Sequence, residues 1–178
     1  MKRAMTIAPF LLLTFAYALF AQTPPQTPKA GPEHQRLHYY VGDWETSVES
    51  KPSPFGPGGK TTAKDHNEML GDFFVVFHSD STGPMGQQKN VAVMGYDAKE
   101  KVYTYDGFTT SGERNKATGT VSGNTWVWTF SGEEQGKSVK GRFTLTEDSP
   151  TSYAFSEEMS IDGGPWTKLE EGKATKVK

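Results

Sequence analysis

The sequence predicts an all-β protein, an up-and-down antiparallel β-barrel of about ten strands with one short helix before it. Three observations carry this. Beyond residue 21 the chain holds only five Leu and Ile against 11 Val, 18 aromatic residues and 18 Thr, side chains that suit a pleated, half-buried surface. All 19 glycines lie in that same part, mostly beside Asn, Asp, Ser or Pro, where turns need a positive or preset φ. Between these clusters run extended segments at the spacing of a sandwich or barrel.

The first element is not part of the fold. Lys2 and Arg3 precede a nearly unbroken apolar run from Ile7 to Ala21, which ends in small residues before Gln22. This is the pattern of a cleaved secretory signal over 1–21, and it falls short of the ~20 apolar residues that cross hydrocarbon. Cleavage is expected after Ala21, with Ala18 as the alternative. Residues 22–31, with three prolines and nothing to bury, read as a disordered linker. The remaining 32–178 form the barrel domain. With no cysteine at the junction to take a lipid, no stable membrane anchor remains, and the periplasm or the medium is the expected location.

Pro32 at a first-turn position, Glu33 behind it, and Leu37, Tyr40 and Val41 at helical spacing predict a short amphipathic helix over 32–41. Strands are expected near 42–50, 60–70, 72–79, 89–97, 101–109, 113–121, 125–131, 137–146, 151–160 and 165–176. The joints include Asp80-Ser81-Thr82-Gly83-Pro84, Thr110-Ser111-Gly112, Ser122-Gly123-Asn124 and Asp162-Gly163-Gly164, each short enough to make neighbouring strands pair antiparallel. Open edges recruit other chains, and closure removes them. A closed barrel of this size is either filled by its own side chains or has room for one small ligand.

Alternation assigns part of the interior. Trp126, Trp128 and Phe130 share one face of their strand; Val139, Gly141, Phe143 and Leu145 oppose Lys140, Arg142, Thr144 and Thr146; Tyr153, Phe155, Glu157 and Met159 form a third inward set. Around Phe73–Phe77 both faces are apolar, and the strands at 91–96 and 102–108 are ambiguous.

Composition excludes several functions. There is no cysteine, so no disulfide framework forms. The 17 Lys and Arg against 21 Asp and Glu that remain after residue 21 leave no basic footprint for nucleic acid. Neither a Gly-x-x-x-x-Gly-Lys-Ser/Thr loop nor a Gly-x-Gly-x-x-Gly turn is present, and no Gly-x-Ser-x-Gly elbow marks a nucleophile. No catalytic residue is assigned.

Val41-Gly42-Asp43-Trp44-Glu45, directly after the helix, is similar to the Gly-x-Trp signature of lipocalins and other calycins, whose tryptophan packs across the closed end of the barrel. Pro32-Glu33-His34, Glu68-Met69-Leu70-Gly71-Asp72-Phe73-Phe74, and Val93-Met94-Gly95-Tyr96-Asp97 with Lys101-Val102-Tyr103 resemble an often exported bacterial lipocalin-like family, a domain of unknown function. The likeness spans roughly 32 to 130. It implies a lipocalin-like barrel closed by Trp44 and supplies no activity. Haem, as held by nitrobindin-type barrels, would need an axial histidine in the later strands, and none follows His78.

The remaining candidates each have a plain structural alternative. His34 and His38 stand four apart, a spacing that can place two imidazoles on a metal, yet no third ligand is evident and a solvated face explains them; no metal or other cofactor is expected. Glu157, an acid among inward aromatics, should be desolvated with a raised pKa, either binding the polar end of a ligand or resting at the barrel mouth. Tyr103, Tyr105, Trp126, Trp128, Tyr153 and Phe155 would line an apolar pocket or fill a core. The Pro/Gly-rich segment 51–60, with Phe55 at its tip, is placed to cover the open end.

Three functions follow. The first is an exported barrel binding a small apolar or amphipathic molecule through those aromatics and Glu157. The second is an enzyme on the same scaffold using Glu157, Asp106 or His78 as acid or base. The third is a structural domain with no pocket. Two titratable groups converging on one void would favour chemistry, and one or none would favour binding.

Overall fold

A computed structural model describes residues 29–177 of the chain. The expected signal segment and residues 22–28 of the expected linker lie outside the described residues.

The expected helix is present in two parts. Pro32 opens α1 (Pro32–Arg36), where its missing N–H costs no intrahelical bond. The Gly31 carbonyl accepts from the N–H groups of His34 and Gln35 at 3.1 and 3.2 Å, and the Gly31 N–H donates to His34 Nδ1 at 3.0 Å. The chain then tightens into a 3-10 turn at Leu37–Tyr40, which swings Leu37 and Tyr40 into the barrel end, where both are buried.

Ten strands follow: β1 (Gly42–Ser50), β2 (Gly59–Leu70), β3 (Phe74–Gly83), β4 (Gly86–Asp97), β5 (Val102–Thr109), β6 (Arg114–Ser122), β7 (Thr125–Glu134), β8 (Lys137–Ser149), β9 (Ser152–Ile161) and β10 (Thr167–Lys176). Each pairs antiparallel with the next, and β10 returns to β1, so the sheet closes into an up-and-down barrel with no free edge. One joint differs from expectation. Asp80–Gly83 continues β3, and the chain reverses at Pro84–Met85 between Gly83 and Gly86. Ser79 and Ser81 face a polar stretch of the interior, so this part of the strand carries turn-like residues without being a turn.

Cross-strand register fixes the two faces. Trp44 pairs with Asp65, Asp65 with Ser79, and Ser79 with Asn90, so all four point inward. Val75, Met94 and Tyr105 form a second such row, and Trp128, Phe143, Glu157 and Glu170 a third. The outer wall carries Glu45, Lys64, Asp80, Lys89, Arg114, Lys140 and Arg142. No helix among the described residues is long and apolar enough to cross a membrane.

The core sits at the end closed by α1 and the 3-10 turn. Leu37, Tyr40, Val75, Met94, Tyr103, Trp126, Trp128 and Leu145 form one buried cluster. Trp44 plugs this end as expected. It is 1% exposed, and its indole N–H donates to the Tyr40 carbonyl at 2.7 Å. Arg36 clamps the helix to the rim, donating to Glu147 Oε1 at 2.8 Å and to the Gly123 carbonyl at 3.2 Å. The same Glu147 oxygen accepts the Trp126 indole N–H at 2.7 Å. The Tyr39 hydroxyl donates to the carbonyls of Ser149 and Ser152, and burial pushes its pKa up to about 12.

Candidate functional site

Further inward rings pack against the closed-end cluster. Tyr105, Phe143, Tyr153 and Phe155 face inward by register, and each is only partly buried. Burial raises the Tyr153 hydroxyl well above its usual pKa, with the Asp65 charge adding to the effect. All four pack against the closed-end cluster, with the Tyr153 ring centroid 5.2 Å from that of Trp44.

Three of the inward rings lie against the wall. Trp128 is the register partner of Gly119, Phe130 of Gly141, and Phe155 of Gly172. A Cβ at Gly119 would stand 2.6 Å from Trp128 Cδ2, and one at Gly172 would stand 2.5 Å from Phe155 Cζ. A Cβ at Gly141 would collide with the Phe130 ring. Each glycine gives its partner ring a flat bed on the neighbouring strand. Phe143 and Phe155 stack with centroids 5.1 Å apart, and Trp126 and Trp128 at 6.1 Å.

Polar groups occupy two levels of this interior. Nearer the closed end, Asp65 Oδ2 accepts from Thr46 Oγ1 at 2.8 Å, and Asn90 Nδ2 donates to the Tyr105 hydroxyl at 3.4 Å. Burial raises the Tyr105 pKa against that bond, with Asp65 a further cause. Below Asp65 on the same strand face, Asn67 donates to the Tyr40 carbonyl at 3.0 Å. The Asn67 and Asn90 Oδ1 atoms and the Tyr40 hydroxyl have no partner.

Toward the open end, Glu157 on β9 faces Glu170 on β10. Burial, reinforced by the Glu170 and Glu134 carboxyls, pushes Glu157 up to about 7. Burial also raises Glu170, while a 3.1 Å bond from the Ser50 hydroxyl opposes the shift. Among the described residues no inward Lys or Arg intervenes: Lys137 and Lys176 stand at the two rims, the latter with Nζ 4.9 Å from the centre of the Trp44 ring.

The structure divides the residues expected to line a pocket. Tyr105, Tyr153, Phe155 and Glu157 are partly buried on the inner wall, and Trp128 belongs to the buried core cluster. Tyr103 and Trp126 lie in the same closed-end core, Tyr103 bonded to the Glu33 carbonyl at 3.1 Å. Sequence reading missed Glu170, Asp65, Asn67, Asn90 and Thr46.

Two candidate acid–base groups are on the wrong face. Asp106 points outward into a bidentate pair with Arg114 at 2.8 and 2.9 Å, which holds its carboxyl below the usual range. His78 is exposed on the outer wall opposite His66, whose Nδ1 pairs with Asp43 at 2.7 Å and is thereby raised. His34 spends its Nδ1 on Gly31 and packs edge-on to Phe73 and Tyr96, while His38 is exposed on the 3-10 turn, so the two do not form a ligand pair. No cluster of three metal-ligating side chains exists among the described residues.

The segment after β1 does lie at the open end. Phe55 is partly buried there, and Gly56 approaches Met85 of the β3–β4 turn. Concavities of about 590 and 1050 Å³ also run along the outer wall, lined mainly by outward residues of β1–β4 such as Lys64, His66, Asp80 and Lys89. Their lining is charged and open, unlike the aromatic interior.

The family model described as "Protein of unknown function (DUF1579)" matches residues 29–176. No curated protein matches the chain in sequence. Among solved structures, the fold is similar to that of Rv2717c from M. tuberculosis, at 14% identity and a TM-score of 0.61, covering 84% of this chain and 100% of that one. It is also similar to the S-type phycobiliprotein lyase CPES from Guillardia theta, at 9% identity and a TM-score of 0.53, covering 81% of this chain and 92% of that one. At these identities the likeness is one of fold.

Proposed function

The chain belongs to the DUF1579 family of proteins of unknown function, and from that premise we propose that it is an exported barrel that binds a small apolar or amphipathic molecule in its interior. The observation that carries the reading is the set of inward rings, Tyr105, Phe143, Tyr153 and Phe155, that remain accessible inside a closed barrel. Apolar walls with a few placed polar groups are the usual make-up of a small-molecule site. Export rests on the basic and apolar pattern of residues 1–21.

Native mass spectrometry of the protein purified from cells that make it naturally tests the binding. A retained small molecule, lost in Trp128→Ala, is the expected result. Protein free of any guest, with no response of its tryptophan fluorescence to a polarity-sensitive naphthalene dye, would overturn it.

The pairing of Glu157 and Glu170 on the inner wall supports a second reading, acid–base chemistry on a bound substrate. Binding is preferred because, among the described residues, the one hydroxyl bonded to the pair is that of Ser50, which already donates to Glu170. Glu157→Gln separates the two: a binder keeps its guest unchanged in covalent structure, and an enzyme accumulates unconverted substrate.

A further inference from the structure

We propose that the protein pairs with a second copy of itself through an apolar band on the outer wall of β2–β5, on a twofold axis that crosses the band at Val76 and Val93. This stands apart from the reading of the interior.

Register places the band. On the outer face Leu70 pairs with Phe74, Val76 with Val93, and Val91 with Phe108, and each pair lies one strand over and one row along from the last. From the spacing of strands and residues, the three pairs make a diagonal band about 20 Å long. The barrel core does not account for it, because Val75, Met94 and Tyr103 serve that core from the opposite face of the same strands. Leu70, Phe74, Val91 and Phe108 remain 60, 43, 43 and 50% exposed. Phe74 lies flat on the wall, since a Cβ at Gly95 would stand 2.6 Å from its Cδ1. A contiguous exposed apolar patch marks an interaction surface. Closure has left no strand edge for pairing, so association must use a face.

Charge identifies the occupant. At one end, Leu70 stands between Glu68 and Asp72, both exposed. At the other, Phe108 pairs with Arg114, and Lys116 follows on the same face of β6. Asp106 is matched there by its bidentate bonds from Arg114, and Lys116, with Nζ 3.8 Å from that carboxylate, leaves this end net positive. A surface with an apolar middle, one acidic end and one basic end is complementary to itself when reversed. A twofold axis in the contact plane, perpendicular to the band, lays Leu70 of one copy on Phe108 of the other and opposes Glu68 and Asp72 to Arg114 and Lys116 at both ends. The apolar pairs then form the centre of the contact and the charges its rim.

Sedimentation equilibrium of the purified protein from about 1 to about 300 μM tests the proposal. The mass should rise from that of the monomer toward that of the dimer. Val93→Lys sets a charge at the centre of the band, beside Asp106 on a solvated face, and should raise the dissociation constant at least about tenfold with an unchanged far-ultraviolet circular dichroism spectrum. Lys116→Glu should raise it about fivefold or more, and adding Asp72→Lys should bring it back to within about twofold of the unmodified protein. A monomer over the whole range, or growth beyond the dimer, would overturn the proposal. A dimer indifferent to Val93→Lys, or a Lys116→Glu defect that Asp72→Lys does not repair, would overturn it as well.

Discussion

Glu157 and Glu170 face each other as direct partners on the inner wall, β9 against β10, with no cation between them. Like charges directly opposite on a sheet destabilise it, so the pair favours retaining a proton. Glu157 is framed by Phe143 on one flanking strand and Glu170 on the other, with Glu134 the remaining acid near it.

Stability should therefore fall as pH rises. The folded-state pKa of Glu157, about 7, exceeds its ordinary value of 4.5, so the folded form binds more protons across that interval. The protonated group is neutral to stability below the lower value, and the cost of ionising it in the barrel grows until the upper value is passed. Glu157→Gln should remove this slope, worth up to about 3 kcal/mol. Urea midpoints at pH 5 and pH 8 for both proteins measure it.

Trp44→Ala should cost about 3–5 kcal/mol, because it empties the closed end. Trp44→Phe should cost about 1–2 kcal/mol, since the Tyr40 carbonyl then retains only the bond from Asn67. Urea unfolding followed by far-ultraviolet circular dichroism distinguishes the two.

Gly119→Ala should leave the barrel folded but drive the Trp128 ring off the wall toward the barrel axis. The expected readouts are a shifted tryptophan emission and at least tenfold weaker binding of a naphthalene dye, at a stability cost of about 1–3 kcal/mol. Unchanged dye binding would mean that Trp128 does not border the site.

Arg36→Ala should release α1 from the rim. It removes the donor to the Gly123 carbonyl and to the Glu147 carboxylate, which then keeps the bond from the Trp126 indole N–H. Amide exchange over 32–40 should accelerate well before exchange in β7 or β8.

N-terminal sequencing of the protein recovered from the periplasm or medium should begin at Gln22. An intact Met1 in that fraction would refute signal cleavage.

The later strands were legible because their two faces differ in polarity: Trp126, Trp128 and Phe130 alternate with Thr125, Val127 and Thr129, and Glu157 falls unambiguously among aromatics. Glu170 was hidden for two reasons. β10 is polar on both faces, and a register irregularity between Lys168 and Glu170 breaks its alternation. Asp65 and Asn67 were lost in β2, whose inner face reads Thr61, Ala63, Asp65, Asn67 and carries no apolar stripe. A strand that lines a polar part of a hollow is patterned like a surface strand on both sides, and only its partners reveal which side is inside. The outward Phe74 and Leu70 obscured β3 in the opposite way, since apolar residues there occupy both faces.

The rings bedded on Gly119, Gly141 and Gly172 are tied to the wall by contact alone, and none of them contributes a bond to the backbone ladder. Bore and scaffold are consequently encoded in different atoms. A ring can be exchanged in the course of evolution for a slimmer side chain while the hoop of ten strands stays as it was.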